Sequence, residues 1–181
     1  MAKPKQHDSD FLLRKADDAD IPTLVEFLSK LALHVAGSQA HRLKTKERQR
    51  LVEALASALA DTDRLIIVAE VPDYGLVGMG DVAVWRNEGI WEQASAEVDK
   101  SAFIDDVWVE PEFRKRGIFT GMLWELVAFA EDHGAQELVL EYSLANKEAK
   151  ATWSTLGFKP IGVRAAAFTG NVKKILTDRP S

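Results

Sequence analysis

One stretch of the sequence constrains the fold more than any other: residues 103–120, FIDDVWVEPEFRKRGIFT. It predicts an apolar strand, a turn containing proline, a basic loop with one glycine, and the start of a helix. The first N–H groups of a helix have no acceptor inside it, and the helix dipole favours negative charge at that end. Three basic residues, Arg114, Lys115 and Arg116, stand in the same loop. A phosphorylated ligand is therefore the first hypothesis.

The length and composition are those of one globular domain. The chain has 181 residues, of which 46% are hydrophobic and 28% charged, so it can bury a proper core. We expect a polar N-terminal tail over residues 1–10, a single domain over residues 11–178, and a short C-terminal tail over residues 179–181.

Charge and residue content exclude several kinds of site. The net charge of −5 argues against a nucleic-acid binder with a broad basic face. The absence of cysteine excludes disulfides, thiolate zinc sites and cysteine nucleophiles, and the four histidines have no metal-ligand spacing. No apolar run has membrane-spanning length, and the first residues lack the apolar core of a signal peptide. We therefore expect a cytoplasmic protein without metal, membrane or nucleic-acid partner.

The periodicity of apolar residues predicts an α/β (α+β) fold, a mixed sheet of about six to seven strands flanked by about four helices. Asp20 is the expected N-cap of the first helix, which ends near Gly37. Residues 86–100 are polar and acidic, and predict either a long loop or an irregular hairpin. The predicted strands are residues 11–14, 64–71, 76–85, 101–109, 137–142, 158–168 and 172–177, and the predicted helices begin near Ile21, Thr45, Ile118 and Asn146.

Two local motifs stand in a fixed order along this pattern. The loop follows Arg/Gln-x-x-Gly-x-Gly/Ala over residues 114–119 except at its last position, Phe119, and residues 109–113, VEPEF, precede it as V-x-P-x-[YF]. Downstream, N-x-x-A-x-x-x-Y-x-x-x-G-F is matched at five spacings, by Asn146, Ala149, Trp153, Gly157 and Phe158. The chain thereby resembles the GNAT N-acetyltransferase superfamily over about residues 11–178.

The resemblance implies a centrally splayed sheet, acetyl-CoA as acyl donor, and transfer of its acetyl group to a primary amine of a small molecule or peptide. Pyrophosphate would lie on the amides of residues 116–120, and pantetheine against residues 107–109 and Asn146. Homodimers also occur in such families, so a homodimer is a further expectation. The implied CoA-binding residues are Val107, Trp108, Val109, Arg114, Lys115, Arg116, Gly117, Ile118, Phe119, Thr120, Asn146, Ala149 and Trp153.

Two positions depart from the family pattern. Phe119 stands where the family prefers Gly or Ala, and a larger side chain there predicts a weaker approach of pyrophosphate to the helix. Trp153 stands where many members place the tyrosine that protonates the departing thiolate. An indole N–H has no useful acidity. The proton would then come from water, from Tyr142 on the adjacent strand, or from no dedicated acid.

Asp105 and Asp106 are the candidate general bases, because carboxylates are rare inside strands. Strand alternation predicts that they point to opposite faces, so that they do not share a proton. We favour Asp105 as base or amine anchor over Asp106; solvated carboxylates at the end of the sheet are the alternative.

For the remaining charged residues, a functional interpretation and an ordinary surface position are both open. His34 and His41 fit the surface or the lip of a substrate site. Four acidic residues form either an acidic mouth for basic substrates or an ordinary solvated loop: Glu88, Glu92, Glu97 and Asp99.

Two rival functions remain beside an acyltransferase of the EC 2.3.1 type. The first is a non-catalytic acyl-CoA-binding module, motivated by Trp153 and Phe119. The second is an α/β interaction protein whose basic loop binds no ligand.

Overall fold

The computed structural model describes residues 10–36, 43–86, 100–162 and 165–177. The chain divides into two compact units, residues 1–143 and 144–181, and each is described by itself. The predictions made for the N-terminal tail up to residue 9, for His41, for residues 87–99 with their acidic side chains, and for the C-terminal tail lie outside the described residues.

The first unit contains a mixed sheet whose strands follow one another in chain order. The first four strands are antiparallel neighbours, and the fifth runs parallel to the fourth. The pairing between the fourth and fifth strands ends at Ile104 and Leu140, so within the described sheet the remaining half of the fourth strand is paired on one side only. The strands are β1 (Leu12–Lys15), β2 (Arg64–Val71), β3 (Gly75–Arg86), β4 (Lys100–Val109) and β5 (Glu137–Leu140).

Among the described residues, three α-helices lie in the first unit and two in the second. In the described parts of the chain, no helix is both long enough and apolar enough to cross a membrane. The mixed α+β architecture is as predicted, although the described sheet has five strands and not six to seven. The helices are α1 (Ile21–Ala36), α2 (Thr45–Ala60), α3 (Ile118–Asp132), α4 (Lys147–Thr155) and α5 (Thr169–Thr177).

The prediction of two C-terminal strands was wrong. Residues 172–177 lie in α5, and residues 158–162 and 165–168 form no regular structure. Val172, Ile175 and Leu176 are spaced three and four residues apart, which is the spacing of one face of a helix. The same short apolar segment is also compatible with a strand, and that was the structure predicted. The expected turn instead begins the helix, since the N–H of Val172 donates to the carbonyl of Phe168 at 3.1 Å.

The start of the first helix also differs from the prediction. Asp17 is the N-cap of a single 3-10 turn that leads into α1, and Asp20 closes its capping box by accepting from the Asp17 N–H at 2.9 Å. Arg14 donates to both oxygens of Asp20, at 2.7 and 2.8 Å. This guanidinium holds the pKa of the Asp20 carboxyl below its usual value.

The two faces of the sheet carry different helices. Val68, Met79 and Trp108 belong to the core cluster that includes buried residues of α1 and Leu55 of α2. On the opposite face α3 packs closely on β3, where its Leu126 lies over Gly80. Four residues of α3 at helical spacing are buried: Ile118, Met122, Leu126 and Ala130. Alternation along β3 therefore assigns odd-numbered residues from 77 to 81 to the α1/α2 face and even-numbered ones from 78 to 82 to the α3 face.

Gly78 lets β4 and α3 approach β3 closely, and we predict that Gly78→Ala is destabilising. A Cβ at this position would lie 3.0 Å from the backbone oxygen of Trp108, which cannot move like a flexible side chain. Overpacking of this kind costs about 1–3 kcal/mol. Urea unfolding should show this loss in Gly78→Ala and almost none in Gly162→Ala, where a Cβ would meet nothing within 4 Å. Equal stability of the two variants would contradict the packing described.

Candidate functional site

The register between β3 and β4 contains a β-bulge in the middle of the sheet. Gly80 pairs with Val107 and Val82 pairs with Ile104, so Asp81 alone faces both Asp105 and Asp106. A bulge of this kind places two consecutive residues of one strand opposite a single residue of its neighbour and interrupts the alternation of side chains. The two adjacent aspartates of β4 are therefore the residues at which the bulge interrupts the regular alternation of side chains.

Both aspartates of β4 lie on the face that carries α1 and α2. Trp108 belongs to that face, and alternation from Trp108 places Asp106 there as well. Ile104 pairs with Val82 on the opposite face, so its neighbour Asp105 also turns toward α1 and α2. Carboxylate oxygens of Asp81, Asp105 and Asp106 lie within 4.8 Å of one another. The prediction that Asp105 and Asp106 point to opposite faces was wrong, because strict alternation fails at the bulge.

Arg64, at the start of β2, supplies the positive charge that faces this cluster. Its Nε donates to Asp81 Oδ1 at 2.9 Å, and its Nη2 donates to the other oxygen of the same carboxylate. The same Nη2 lies 3.4 Å from Asp105 Oδ2. A planar guanidinium fits a carboxylate in this two-pronged way. One cation thus compensates Asp81 fully and Asp105 in part.

The three carboxyl groups differ in burial: Asp81 is buried, Asp106 is half-buried and Asp105 is exposed. Asp81 is only 3% exposed, and burial raises its pKa against the opposing effect of Arg64. Burial, followed by the charges of Asp105 and Asp81, raises the pKa of Asp106 to about 6. The side chain of Asp105 is 49% exposed. Desolvation and like charges both disfavour the ionised form of a carboxyl group, and both act on Asp106.

A carboxyl whose pKa is higher in the folded state costs stability wherever it is ionised. For Asp106 that cost is present above pH 6 and disappears as the pH falls toward 4, the range where the unfolded chain also takes up the proton. We therefore predict that Asp106→Asn is more stable than the wild type by about 1–3 kcal/mol at pH 8, and equally stable at pH 4. Urea unfolding at the two pH values tests this, and lower stability at pH 8 would contradict it.

An aromatic pair continues the same face beyond the carboxylates. Phe103 stands two residues before Asp105 on β4, and its ring centroid lies 5.7 Å from that of Trp85 on β3. Trp85 is 40% exposed. Aromatic faces beside carboxylates attract organic cations. This part of the sheet is therefore suited to a positively charged group that carries an apolar portion.

At the far end of β4, Trp108 is enclosed by charged and aromatic side chains. The His34 ring stands edge-on to it at 6.0 Å, and the Arg114 guanidinium lies over it at 5.3 Å. The indole Nε1 is buried without a hydrogen-bond partner in the described part of the chain. The loop after β4 is thus anchored on the strand by Arg114, whose Nε also donates to the carbonyl of Val109 at 3.1 Å.

The basic loop ends in a backbone conformation that sets the start of α3. Gly117 has φ 83°, in the left-handed region that favours glycine, and precedes the first helical residue. The N–H of Gly121 donates to the carbonyl of Gly117 at 2.9 Å. The N–H groups before it precede the helical ladder and point out of the N-terminus. Lys115 also has a positive φ, 63°, and Arg116 lies over the Phe113 ring at 5.0 Å.

The second motif lies in the second unit. Asn146 caps α4 as predicted, with Oδ1 accepting from the Ala149 N–H at 2.9 Å. Trp153 is half-buried and stands edge-on to Phe158 at 5.3 Å. In the first unit, Tyr142 is half-buried just after β5. The structure therefore brings together residues 108, 109 and 114 of the predicted set, while Asn146 and Ala149 contact each other.

The sequence interpretation missed the roles of Arg64 and Asp81. Asp81 stands in an otherwise apolar strand, GLVGMGDVAVW, and a buried carboxylate requires a partner. That requirement could have singled out Asp81, and the arginine that begins the neighbouring strand was the obvious candidate. The register shift that joins them to Asp105 and Asp106 has no signal in the sequence.

A comparison with protein-family models finds one match over this arrangement. The model of the acetyltransferase (GNAT) family matches residues 32–158, which include the bulge, the basic loop and α4. The chain belongs to the GNAT acetyltransferase family. Membership of this family places it among acyltransferases of the EC 2.3.1 type. No curated protein sequence matches the chain.

Solved structures share the GNAT fold at low sequence identity. A predicted acetyltransferase from Clostridium acetobutylicum, crystallised with acetyl-CoA, is 19% identical with a TM-score of 0.71, over 89% of this chain and 97% of that one. Glucosamine-6-phosphate N-acetyltransferase from Arabidopsis thaliana is 19% identical with a TM-score of 0.62, over 88% and 98%. An aminoglycoside 6'-N-acetyltransferase from Acinetobacter baumannii is 18% identical with a TM-score of 0.64, over 88% and 97%. At these identities the similarity shows the fold.

Proposed function

We propose that this GNAT protein is an acetyl-CoA-dependent N-acetyltransferase that acetylates a primary amine of a small molecule or peptide. The observation that carries the proposal is the start of α3, where left-handed Gly117 follows three basic residues inside the region matched by the family model. The acetyl-CoA bound to the Clostridium acetobutylicum relative supports the choice of donor.

The pyrophosphate of CoA is proposed to lie on the N-terminus of α3. Amides of the first helical turn and the helix dipole favour its negative charge, and Arg114, Lys115 and Arg116 add three positive charges. The half-buried Phe119 occupies one position of that first turn. Its side chain limits how closely the phosphates approach but leaves the direction of the helical amides unchanged.

The pantetheine arm is proposed to run along the half of β4 that β5 does not pair. Pairing between these strands ends at Ile104 and Leu140, so the backbone of residues 107–109 has no neighbour on that side within the described sheet. The carbonyl of Val109 already accepts from Arg114, and the remaining backbone groups of this segment are therefore the proposed contacts. The family pattern also supports a proposal made for the second unit by itself, that its CoA-contacting residues are Asn146, Ala149 and Trp153.

The proposed reaction is a direct transfer without a covalent enzyme intermediate. A carboxylate takes one proton from the acceptor's ammonium, and the neutral amine attacks the thioester carbonyl carbon. The new C–N bond forms as the C–S bond breaks, and the CoA thiolate leaves with the electron pair. A second proton passes from the amide nitrogen to the thiolate or to solvent. The cluster at the bulge and the exposed Trp85 beside Phe103 support a cationic acceptor.

The departing thiolate has no obvious acid at the position of Trp153. Its parent thiol has a pKa of roughly 8–9, so the thiolate is a tolerable leaving group near neutral pH. Water or Tyr142 is the proposed proton donor, and no dedicated donor is required.

Trp153 also favours a second candidate function, a non-catalytic acyl-CoA-binding module. Such a protein would bind CoA but release no thiol in the presence of amines. Isothermal titration at moderate salt tests what the two candidates share: we expect binding of both acetyl-CoA and free CoA. Absence of binding for both would overturn the two candidates together and leave the interaction protein.

A further inference from the structure

We propose that Asp106 is the carboxylate that accepts the proton from the acceptor's ammonium, and that Arg64 positions it by pairing with the other two carboxylates, Asp81 and Asp105. This assignment rests on the proposed function and deepens it. It reverses the preference for Asp105 that the sequence suggests. Three features of the molecule support it: the bulge, the contacts of Arg64 and the burial of the three side chains.

The bulge brings a second carboxylate to the same face of the sheet. In a regular strand only one of Asp105 and Asp106 would stand beside Asp81, whereas here all three converge within 4.8 Å. Three ionised carboxylates and one guanidinium leave an excess of two negative charges. A group of this kind retains a proton more readily than an isolated aspartate does.

Arg64 decides which carboxylates of the cluster have a cationic partner. Asp81 receives two hydrogen bonds from it and is almost wholly buried, so the pair is closed to a ligand. Asp105 is the second partner of the same guanidinium, at 3.4 Å. For Asp106 the described residues provide neither an ion pair nor a side-chain hydrogen bond. It is the carboxylate of the cluster whose charge is least compensated.

Asp106 is also the member whose environment suits proton transfer near neutral pH. It is neither sealed like Asp81 nor half exposed to water like Asp105. Its pKa of about 6 results from burial and from Asp105 and Asp81, against the opposing effect of Arg64 on β2. From α1, which packs across the same face, His34 approaches Trp108, two residues along β4. A base is most effective when its pKa lies near the working pH.

The proton that leaves the ammonium is accepted by Asp106 and then passes to solvent. The Asp106 carboxylate takes a proton from the bound ammonium and becomes a neutral carboxyl, which removes one of the two excess charges in the cluster. The amine keeps its electron pair for the thioester. After the transfer, Asp106 returns the proton to solvent. Arg64 and Asp81 do not touch the reacting atoms, so they are positioning residues.

The test compares two adjacent, chemically identical changes. With an amine that the wild type acetylates, we expect Asp106→Asn to lower kcat/KM about 10²–10⁴-fold. Asp105→Asn should lower kcat/KM by a clearly smaller factor, because the cluster loses one negative charge but keeps the proton acceptor, and it should move the acid limb of the pH profile below that of the wild type. An inactive Asp105→Asn beside an active Asp106→Asn would overturn the assignment, and so would comparable losses in both.

Arg64 is tested by its effect on the same pH profile. Arg64→Gln removes a cation that lowers the pKa of Asp106, so the acid limb should move to higher pH, and Arg64→Lys should return it toward the wild type. A side-chain carboxyl NMR titration of Asp106 in Arg64→Lys and Arg64→Gln measures the same shift without turnover. Identical titrations in the wild type and Arg64→Gln would contradict the positioning role.

Failure of the proposed function would appear differently. The wild-type protein would then bind acetyl-CoA but release no thiol with any amine. In that case the assignment of a proton acceptor falls with it. A wild type that turns over, with the two asparagine variants reversed, would refute the assignment alone.

Discussion

Arg64→Met is expected to lower the free energy of unfolding at pH 8 by about 2–4 kcal/mol. Removing one partner of a buried ion pair costs about 3–5 kcal/mol because the other charge stays buried and uncompensated. The expected loss is set about 1 kcal/mol below that range because the Arg64 side chain is 27% exposed, although that of Asp81 is only 4% exposed. Urea unfolding followed by tryptophan fluorescence measures the loss.

The double variant Arg64→Met with Asp81→Leu is the matched control. Replacing both partners by apolar side chains is often neutral, so we expect it to recover most of the stability lost in the single variant. The loss should also shrink as the pH falls, because burial raises the pKa of Asp81 and Arg64 no longer opposes it. A double variant as unstable as the single one, or a loss independent of pH, would contradict the account of the pair.

Arg114→Glu combined with Arg116→Glu is expected to weaken acetyl-CoA binding at least about 100-fold. Hydrogen bonds to charged groups contribute about 1.5–3 kcal/mol each, and reversing both charges adds repulsion of the pyrophosphate. Both guanidiniums are held in place, one over Trp108 and one over Phe113, so each has little freedom to lose on binding. Isothermal titration against acetyl-CoA measures the change.

Lys46→Glu with Arg50→Glu makes the same change of net charge on exposed positions of α2. This control should bind acetyl-CoA within about threefold of the wild type, since its charges are screened by salt. Equal weakening in the two double variants would mean that net charge, and not the loop, governs binding. Unchanged binding in the loop variant would favour an empty basic loop.

Regular elements with a clear period were predictable from the sequence. Residues 64–71 and the helix over residues 118–132 were predicted with their observed bounds, because each has an unbroken apolar pattern and a clear stop. The cap at Asn146 followed from side-chain chemistry alone. The basic loop before α3 could likewise be placed, since a glycine before a helix limits the backbone to few conformations.

Features that depend on neighbours in space could not be predicted in this way. The convergence of Asp81, Asp105 and Asp106 depends on a register shift between two strands, which alternation within one strand does not reveal. The C-terminal segment was misassigned because Val172, Ile175 and Leu176 satisfy both a short strand and one face of a helix. Local pattern does not decide between the two for so short a run.

Thiol release from acetyl-CoA, screened against small amines, polyamines, amino acids and basic peptides, tests the central claim most directly. The account predicts that at least one class of amine accelerates thiol release, with one acetylated amine formed for each thiol. Binding of acetyl-CoA without amine-dependent thiol release across the whole panel would contradict it and identify the protein as a non-catalytic acyl-CoA-binding module.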